Sequence, residues 1–501
     1  MDRRTFIQSA FANLGALAFG ARFSSPGFGN PQKFRQGPDA SQLPGPLSRS
    51  GALREINLVV EPTQFEIPTH GVFQKWLYNG QFPGPEIRAK EGERLRLTVK
   101  NNLPEGTTIH WHGIPLHNAM DGVPDITQPA IPTGGTFVYE FDAAPAGTFM
   151  YHSHFGLQPE RGLVGPLIVE EKKPHVAYDR EYALALTDFL PCAPVPLGRG
   201  PRGICGPGGR DVGGGMEEMV APPYLVLLIN GRPPEAPAVF EVKSGERVRL
   251  RLINPSGATI YRFAIGGHPL MVTHTDSRPV EPFRVDSLRL GPGERYDVIV
   301  EAKSPGAWPI VASPDTDLPP ARAVLRYTDS NETSPRAGAL PEGLTGGRIL
   351  QIGDLRGLDV PELRKPDRTF NFVLSGGTLK PGGPGGPGGM MGPAGTPSPG
   401  KMMAQEWTIN GQAYPKADPM EVHQGETIRI RLDNQSAMPH PMHLHGHFFR
   451  VGNVSKDTTI VWTHSKRVEL DFVANNPGTW LFHCHNLYHM EGGMMRLVRY
   501  V

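Results

Sequence analysis

Residues His483-Cys484-His485, followed by His489 and Met494, bring a thiol, imidazoles and a thioether together at short spacing. A cysteine with a histidine five residues on and a methionine ten on supplies the thiolate, imidazole and weak axial sulfur of a blue-copper site. On a strand, successive side chains point to opposite faces, so Cys484 faces one way while His483 and His485 face the other. A metal held by Cys484 then has two short covalent routes to whatever the flanking histidines hold. That is chemistry for moving electrons between two metal sites.

Further donors stand elsewhere. His110-Trp111-His112 and His152-Ser153-His154 are two more His-x-His pairs, each placing both imidazoles on one strand face, and His440, His443 and His445 form a fourth group. With His440, Cys484, His489 and Met494 given to the blue site, eight histidines remain: 110, 112, 152, 154, 443, 445, 483 and 485. Eight imidazoles fit three copper ions bound by two, three and three ligands. A lone His-x-His is more often a structural pair or a zinc ligand set. Zinc, however, has no use for an unpaired cysteine flanked by histidines with a methionine ten residues on.

The segments HWHG, HSH, HPMHLHG and HCHNLYHMEGGM resemble, in order, the four copper signatures of the multicopper oxidases, a family that includes laccases, bacterial cuprous oxidases and copper-resistance oxidases. The resemblance implies four copper ions: one type 1, one type 2 and two type 3. It places the type 2 ion on His110 and His443, one type 3 ion on His112, His152 and His485, and the other on His154, His445 and His483. It also implies oxidation of phenols, aromatic amines or Cu(I), with dioxygen reduced to water. Two rivals are a periplasmic copper-binding or resistance protein that sequesters metal without turnover, and a scaffold of the same fold that has shed its copper. The complete set of twelve ligands argues against both.

The same resemblance gives Asp121 a role, because the family keeps an acid near the type 2 copper at this spacing. Dioxygen reduction consumes four protons, and a carboxylate beside the cluster is a natural relay; the plain alternative is a turn residue in Asp-Gly. Many bacterial laccases also have Glu directly after the blue-site histidine, where this chain has Met490 and then Glu491. The second proton donor is therefore not identified, and the HMExGM pattern is closer to the copper-resistance branch. Residues 380–403, KPGGPGGPGGMMGPAGTPSPGKMM, form no packed element and read as a mobile insertion. Its Met390, Met391, Met402 and Met403 are soft ligands suited to Cu(I), as are Met438 and Met490 beside the blue-site histidines. Incidental methionines in a linker, and ordinary packing of Met438 and Met490, are equally open readings.

What must position these residues is a repeated unit. Asn79-Gly80, Asn230-Gly231 and Asn410-Gly411 are each followed by Pro and then by Gly92-Glu93, Gly245-Glu246 or Gly425-Glu426. Each Gly-Glu opens an alternating strand: Leu95/Leu97/Val99, Val248/Leu250/Leu252 and Ile428/Ile430/Leu432, closed by Asn101, Asn254 and Asn434. Period two with Arg or Thr on the other face predicts half-buried strands. The run Gly147 to His152 recurs as Gly478 to His483, and the middle copy puts Val311 where the histidine would stand. His268 lies near the middle copy's first-motif position. Repeats one and three are thus expected to carry metal, with repeat two as a spacer. Units of short strands rich in turns predict an all-β chain of Greek-key sandwiches, and the family resemblance makes them three consecutive cupredoxin-like domains at 46–175, 176–335 and 345–501.

Composition bounds the rest. With 50 basic and 49 acidic residues and a formal net charge of +1, no nucleic-acid or anionic-membrane partner is indicated. Gly 61 and Pro 53 suit a turn-rich β protein. Arg3-Arg4-Thr5-Phe6, a mild apolar stretch to Phe19 and Ala16-Leu17-Ala18 read as a twin-arginine export signal over 1–23, followed by a linker over 24–45. The expected location is periplasmic or secreted, with no membrane span in the mature form. Cys192 and Cys205 share one loop; a disulfide suits an oxidising compartment, and free thiols or a minor copper site stay open.

Overall fold

The computed structural model describes residues 51–194, 222, 224–336, 338–361, 364–377 and 406–501. The expected export signal, linker and Met-bearing insertion, with Met390, Met391, Met402 and Met403, lie outside these residues, as does Cys205. Cys192 is disulfide-bonded and Cys484 is a free, buried cysteine.

Three two-sheet sandwiches follow one another. The sheets have four and four strands in the first, six and five in the second, and six and five in the third. In each, the opening strand pairs parallel with the Gly-Glu strand: Leu53–Ile67 with Arg94–Asn101, Arg180–Phe189 with Arg247–Ile253, and Arg368–Gly376 with Thr427–Asn434. The repeated residues explain themselves as hydrogen-bonding devices. Asn79, Asn230 and Asn410 all have positive φ, as do the glycines after them, which is the backbone of a primed turn. Each asparagine Oδ1 accepts a backbone amide at 2.7 Å, from Val59, Ala185 and Val373. Glu93, Glu246 and Glu426 each accept the amide three residues back, closing the turn that starts the next strand.

The apolar alternation holds, with all nine alternating apolar residues of the three Gly-Glu strands fully buried. Repeat two departs from the expected half-buried strand: Arg249 and Arg251, on its polar face, are buried as well. They are desolvated because they pair with carboxylates, Arg249 with Asp297 at 2.5 Å and Arg251 with Glu181 at 2.8 Å. His268 also changes meaning. Ala264 pairs with Val311 in repeat two as His443 pairs with His483 in repeat three. Counting on from these pairs, His268 matches His447 rather than a ligand. His268 hydrogen-bonds the Tyr327 hydroxyl at 2.6 Å, just as His447 bonds that of Tyr500. It is a packing element of the fold, not a remnant of a metal site.

Candidate metal centre

Short strands place the histidines. His110–His112 pairs antiparallel with Gly147–His152, so that His110 faces His152. In repeat three His440–Leu444 pairs with Thr479–Cys484, setting His443 opposite His483 and Met442 opposite Cys484. The alternation then sends Cys484 and His483 to opposite faces. The two repeats meet imidazole on imidazole: His110 lies 3.9 Å from His445 and His112 lies 3.8 Å from His443, centroid to centroid and stacked.

Three donor triads result, each with its ligating atoms within 4.8 Å of one another: His112, His152 and His485; His154, His445 and His483; and His440, Cys484 and His489. His110 and His443 close a further group with His112. All are buried. In the Cys484 triad the two histidine Nδ1 atoms are 3.0 Å apart and each is 3.5 Å from Sγ, a nearly equilateral set of soft and imidazole donors. Met494 is fully buried, and its carbonyl accepts the Cys484 amide at 3.1 Å, which ties the methionine to the thiol.

The imidazoles are oriented from outside. His110 Nδ1 donates to the Asp121 carbonyl, His443 Nδ1 to that of Asp457, His152 Nδ1 to that of Ser153 and His483 Nδ1 to that of Cys484, at 2.8 to 2.9 Å. Such bonds fix the tautomer and leave the other nitrogen as a lone-pair donor. The inner nitrogens of five of the histidines, Nε2 of His110, His152, His154 and His443 and Nδ1 of His112, are buried without a hydrogen-bond partner among the described residues. Orphaned buried polar atoms are rare and call for an occupant. Burial, reinforced by neighbouring imidazoles, holds His112, His154, His445, His483 and His485 well below the ordinary histidine range and pushes His152 down to about 3. Neutral imidazoles converging with unshared lone pairs fit metal cations and little else. Burial also raises the Cys484 thiol and lowers His440 to about 3, so an ion entering there must displace the thiol proton.

Asp121 is not a surface turn residue. Only 1% exposed, it places Oδ1 at 3.1 Å from His110 Nδ1 and accepts His445 Nδ1 through Oδ2 at 2.9 Å. The adjacent Gly122 is required, since a Cβ there would lie 1.8 Å from the Ile109 carbonyl oxygen. Met438 is half-buried against the core, and Met490 is buried among Leu157, Leu487 and Tyr488.

Other residues bear on the site without any motif to announce them. Trp407 lies 3.9 Å from His489 and 5.3 Å from His440, ring to ring, capping both imidazoles. Its one signal is register: it stands three residues before Asn410, as Trp76 stands before Asn79. Ser436 Oγ hydrogen-bonds His440 Nε2 at 2.7 Å. Asp457 and Thr458 both hydrogen-bond His112 Nε2, at 3.2 and 3.1 Å. Asp457 in turn forms a two-pronged ion pair with Arg295 of repeat two, so the middle repeat reaches the site and is more than a spacer.

Three family models described as multicopper oxidase match residues 60–174, 211–330 and 394–501. The chain is 33% identical to the multicopper oxidase MmcO of Mycobacterium tuberculosis, over 100% of this chain and 98% of that one. It is 28% identical to copper resistance protein A of Escherichia coli, over 99% of each. The crystal structure of laccase from Botrytis aclada superposes with a TM-score of 0.70 at 26% identity, covering 90% of this chain and 88% of that one.

Proposed function

The chain belongs to the multicopper oxidase family, and from that footing we propose that it couples one-electron oxidation of a small reductant to four-electron reduction of dioxygen to water. Four copper ions are the proposed cofactor: type 1 on His440, Cys484, His489 and Met494; type 2 on His110 and His443; and a type 3 pair on His112/His152/His485 and His154/His445/His483. When bound, copper supplies one-electron redox chemistry at the cysteine site and dioxygen reduction at the three-ion cluster.

The observation that carries this reading is the junction at Cys484. Its Sγ faces His440 and His489, while the next residue back, His483, faces His445 across 3.0 Å between Nε2 atoms. One peptide unit therefore joins the two donor sets, and His485 offers a second route on the other side. The buried imidazoles stay neutral and hold their lone pairs inward. Asp121, touching His110 and His445, is the proposed proton relay beside the cluster.

Two reductant classes fit, phenols or aromatic amines and Cu(I). Relatives are named as laccases and as copper resistance proteins, and the methionines of the 380–403 segment suit Cu(I). Export by the twin-arginine route to the periplasm or beyond completes the proposal, with domains at 46–175, 176–335 and 345–501. Among the described residues no helix is long and apolar enough to cross a membrane. The second reading, a non-catalytic copper-binding protein, draws on the copper-resistance relatives. Oxygen uptake by copper-loaded protein, with Cu(I) and then a phenol, separates the two: one dioxygen consumed per four electrons supports the oxidase, and no uptake at full copper loading supports sequestration.

A further inference from the structure

Repeat two holds none of the twelve proposed ligands, yet its residues surround one segment of repeat three, Lys456-Asp457-Thr458. Arg295, fully buried, donates to both Asp457 carboxylate oxygens, at 2.6 and 2.5 Å, and through Nε to the Thr148 carbonyl of repeat one at 3.1 Å. Asp276 Oδ2 accepts the Asp457 and Thr458 amides at 3.3 and 3.0 Å. Lys456 pairs with Asp276 at 3.3 Å and with Glu294 at 3.2 Å. Asp276 and Ser277, both with positive φ, form the two-residue turn between the strands Leu270–Thr275 and Arg278–Val285.

What this segment does for the site is specific. Thr458 Oγ1 accepts from His112 Nε2 at 3.1 Å and from His443 Nδ1 at 3.0 Å. Asp457 takes the same two imidazoles, His112 through Oδ1 at 3.2 Å and His443 through its carbonyl at 2.8 Å. One histidine comes from repeat one and the other from repeat three. The backbone of repeat two lies against the cluster as well. A Cβ on Gly293 would come within 2.9 Å of the His485 ring and 3.2 Å of His112, and one on Gly113 within 2.5 Å of Arg295. Two glycines thus let the guanidinium and its turn approach the ligand strands.

We propose that Arg295 is the positioning residue of the trinuclear site, holding Asp457-Thr458 so that the His112 and His443 rings stay stacked 3.8 Å apart with their inner nitrogens free for metal. This rests on the functional reading above. A buried ion pair as a whole adds little to stability beyond what apolar packing would give, although removing one partner alone lowers the melting midpoint; its demanding geometry suits positioning. Bonds of this kind around metal ligands typically carry about 10- to 100-fold in metal affinity. The inference concerns the three-ion site alone, because Cys484, His489 and Trp407 have no contact with Arg295 or Asp457 among those described.

The test compares wild type with Arg295→Met, Arg295→Lys and Asp457→Asn. Each is melted as apoprotein, then copper-loaded and challenged with a chelator while blue and type 2 copper are followed by electron paramagnetic resonance. Expected are cooperative apoprotein melts, an unchanged blue signal, and loss of type 2 copper about 10-fold or more faster than in wild type, partly restored in Arg295→Lys relative to Arg295→Met. Parallel loss of blue and type 2 copper, or wild-type retention of both, would overturn the proposal. So would loss of the cooperative apoprotein melt in every variant, which would make Arg295 a folding residue. A wild type that takes up blue copper alone would instead sink the functional reading on which the proposal depends.

Discussion

The indole of Trp407 lies against the imidazole of His489, 3.9 Å between centroids and inclined by 31°. Its backbone amide donates to the Gly492 carbonyl at 2.9 Å, in the turn that leads from His489 to Met494. The strand that caps the cysteine site is thereby stapled to the loop that builds it. Trp407 is 1% exposed, and its Nε1 and the Nε2 of His489 are both buried without a partner among the described residues. The indole thus covers one face of the His489 ring.

Trp407→Ala should therefore admit bulky phenols to His489 at a cost of about 3 to 5 kcal/mol in stability. Anaerobic stopped-flow bleaching of the blue band should be faster with a bulky phenol than in wild type. Reoxidation by dioxygen should be unchanged. Trp407→Phe, which keeps a ring over the imidazole, should sit close to wild type. Equal bleaching rates in all three proteins would mean that electrons enter elsewhere.

Asp121→Asn should slow dioxygen reduction by about 100-fold or more, the usual share of a general acid–base group. Reduction of the cysteine site under anaerobic conditions should stay normal. The asparagine keeps the shape and one acceptor for His445, so a fall in copper content would point to a role in ligand orientation rather than proton supply.

Glu160, whose carboxyl bonds the Tyr488 hydroxyl next to His489, offers a pH test outside the proposed ligand set. It is buried, accepts the Tyr224 hydroxyl at 2.6 Å and has no ion pair among the described residues. Burial, with Asp188 nearby, pushes it up to about 8. The folded chain therefore holds this proton more tightly than the unfolded chain. The resulting stability is present below about pH 4 and is lost as the pH rises towards 8. Lys75, lowered to about 8 by burial, acts with the opposite slope, but only above that pH. Denaturant midpoints of apoprotein between pH 5 and 8 should show wild type losing on the order of a few kcal/mol relative to Glu160→Gln. Parallel curves would contradict a buried neutral acid.

Deleting residues 381–401 tests the methionine segment. Gly376 and Gly377, which precede it, pack against the Trp407 ring, where any Cβ would fall within 2.9 Å. Gly377 and Glu406, the described residues on either side of it, thus lie beside the Trp407 ring that caps the cysteine site. Its removal should raise phenol oxidation and lower the efficiency of Cu(I) oxidation in steady-state kinetics with copper controlled. Added Cu(II) should stimulate phenol oxidation by the intact protein if a labile copper in the segment mediates transfer. Changes in the same direction for both reductants, or none, would make the segment a passive linker.

Much of this was legible in the chain because it is written locally. Alternation around Cys484 and the thrice-repeated Asn-Gly and Gly-Glu turns depend on neighbours a few residues away; of the His-x-His pairs, His110 and His112 share a strand, whereas His154 and His485 fall just past the ends of theirs. The contacts that close the site depend on long-range register. Asp457 reaches His112 across 345 residues and Arg295 reaches Asp457 across 162, and no spacing rule connects them. His268 misled for a related reason: a repeat two residues out of register looks like a ligand position until strand pairing aligns it. Repeat two's buried arginines were equally hidden, since alternating Arg reads as a solvent face until its carboxylate partners are known.

Cys484 is the proposed electron route between the two donor sets. The direct measurement is Cys484→Ser, loaded with copper and examined by visible and electron paramagnetic resonance spectroscopy alongside turnover. The intense visible band and turnover with every reductant should both be lost. Type 2 and type 3 signatures should stay largely in place, because none of their proposed ligands is altered. A variant that keeps the visible band, or that still reduces dioxygen at the wild-type rate with a phenol or Cu(I), would contradict that route.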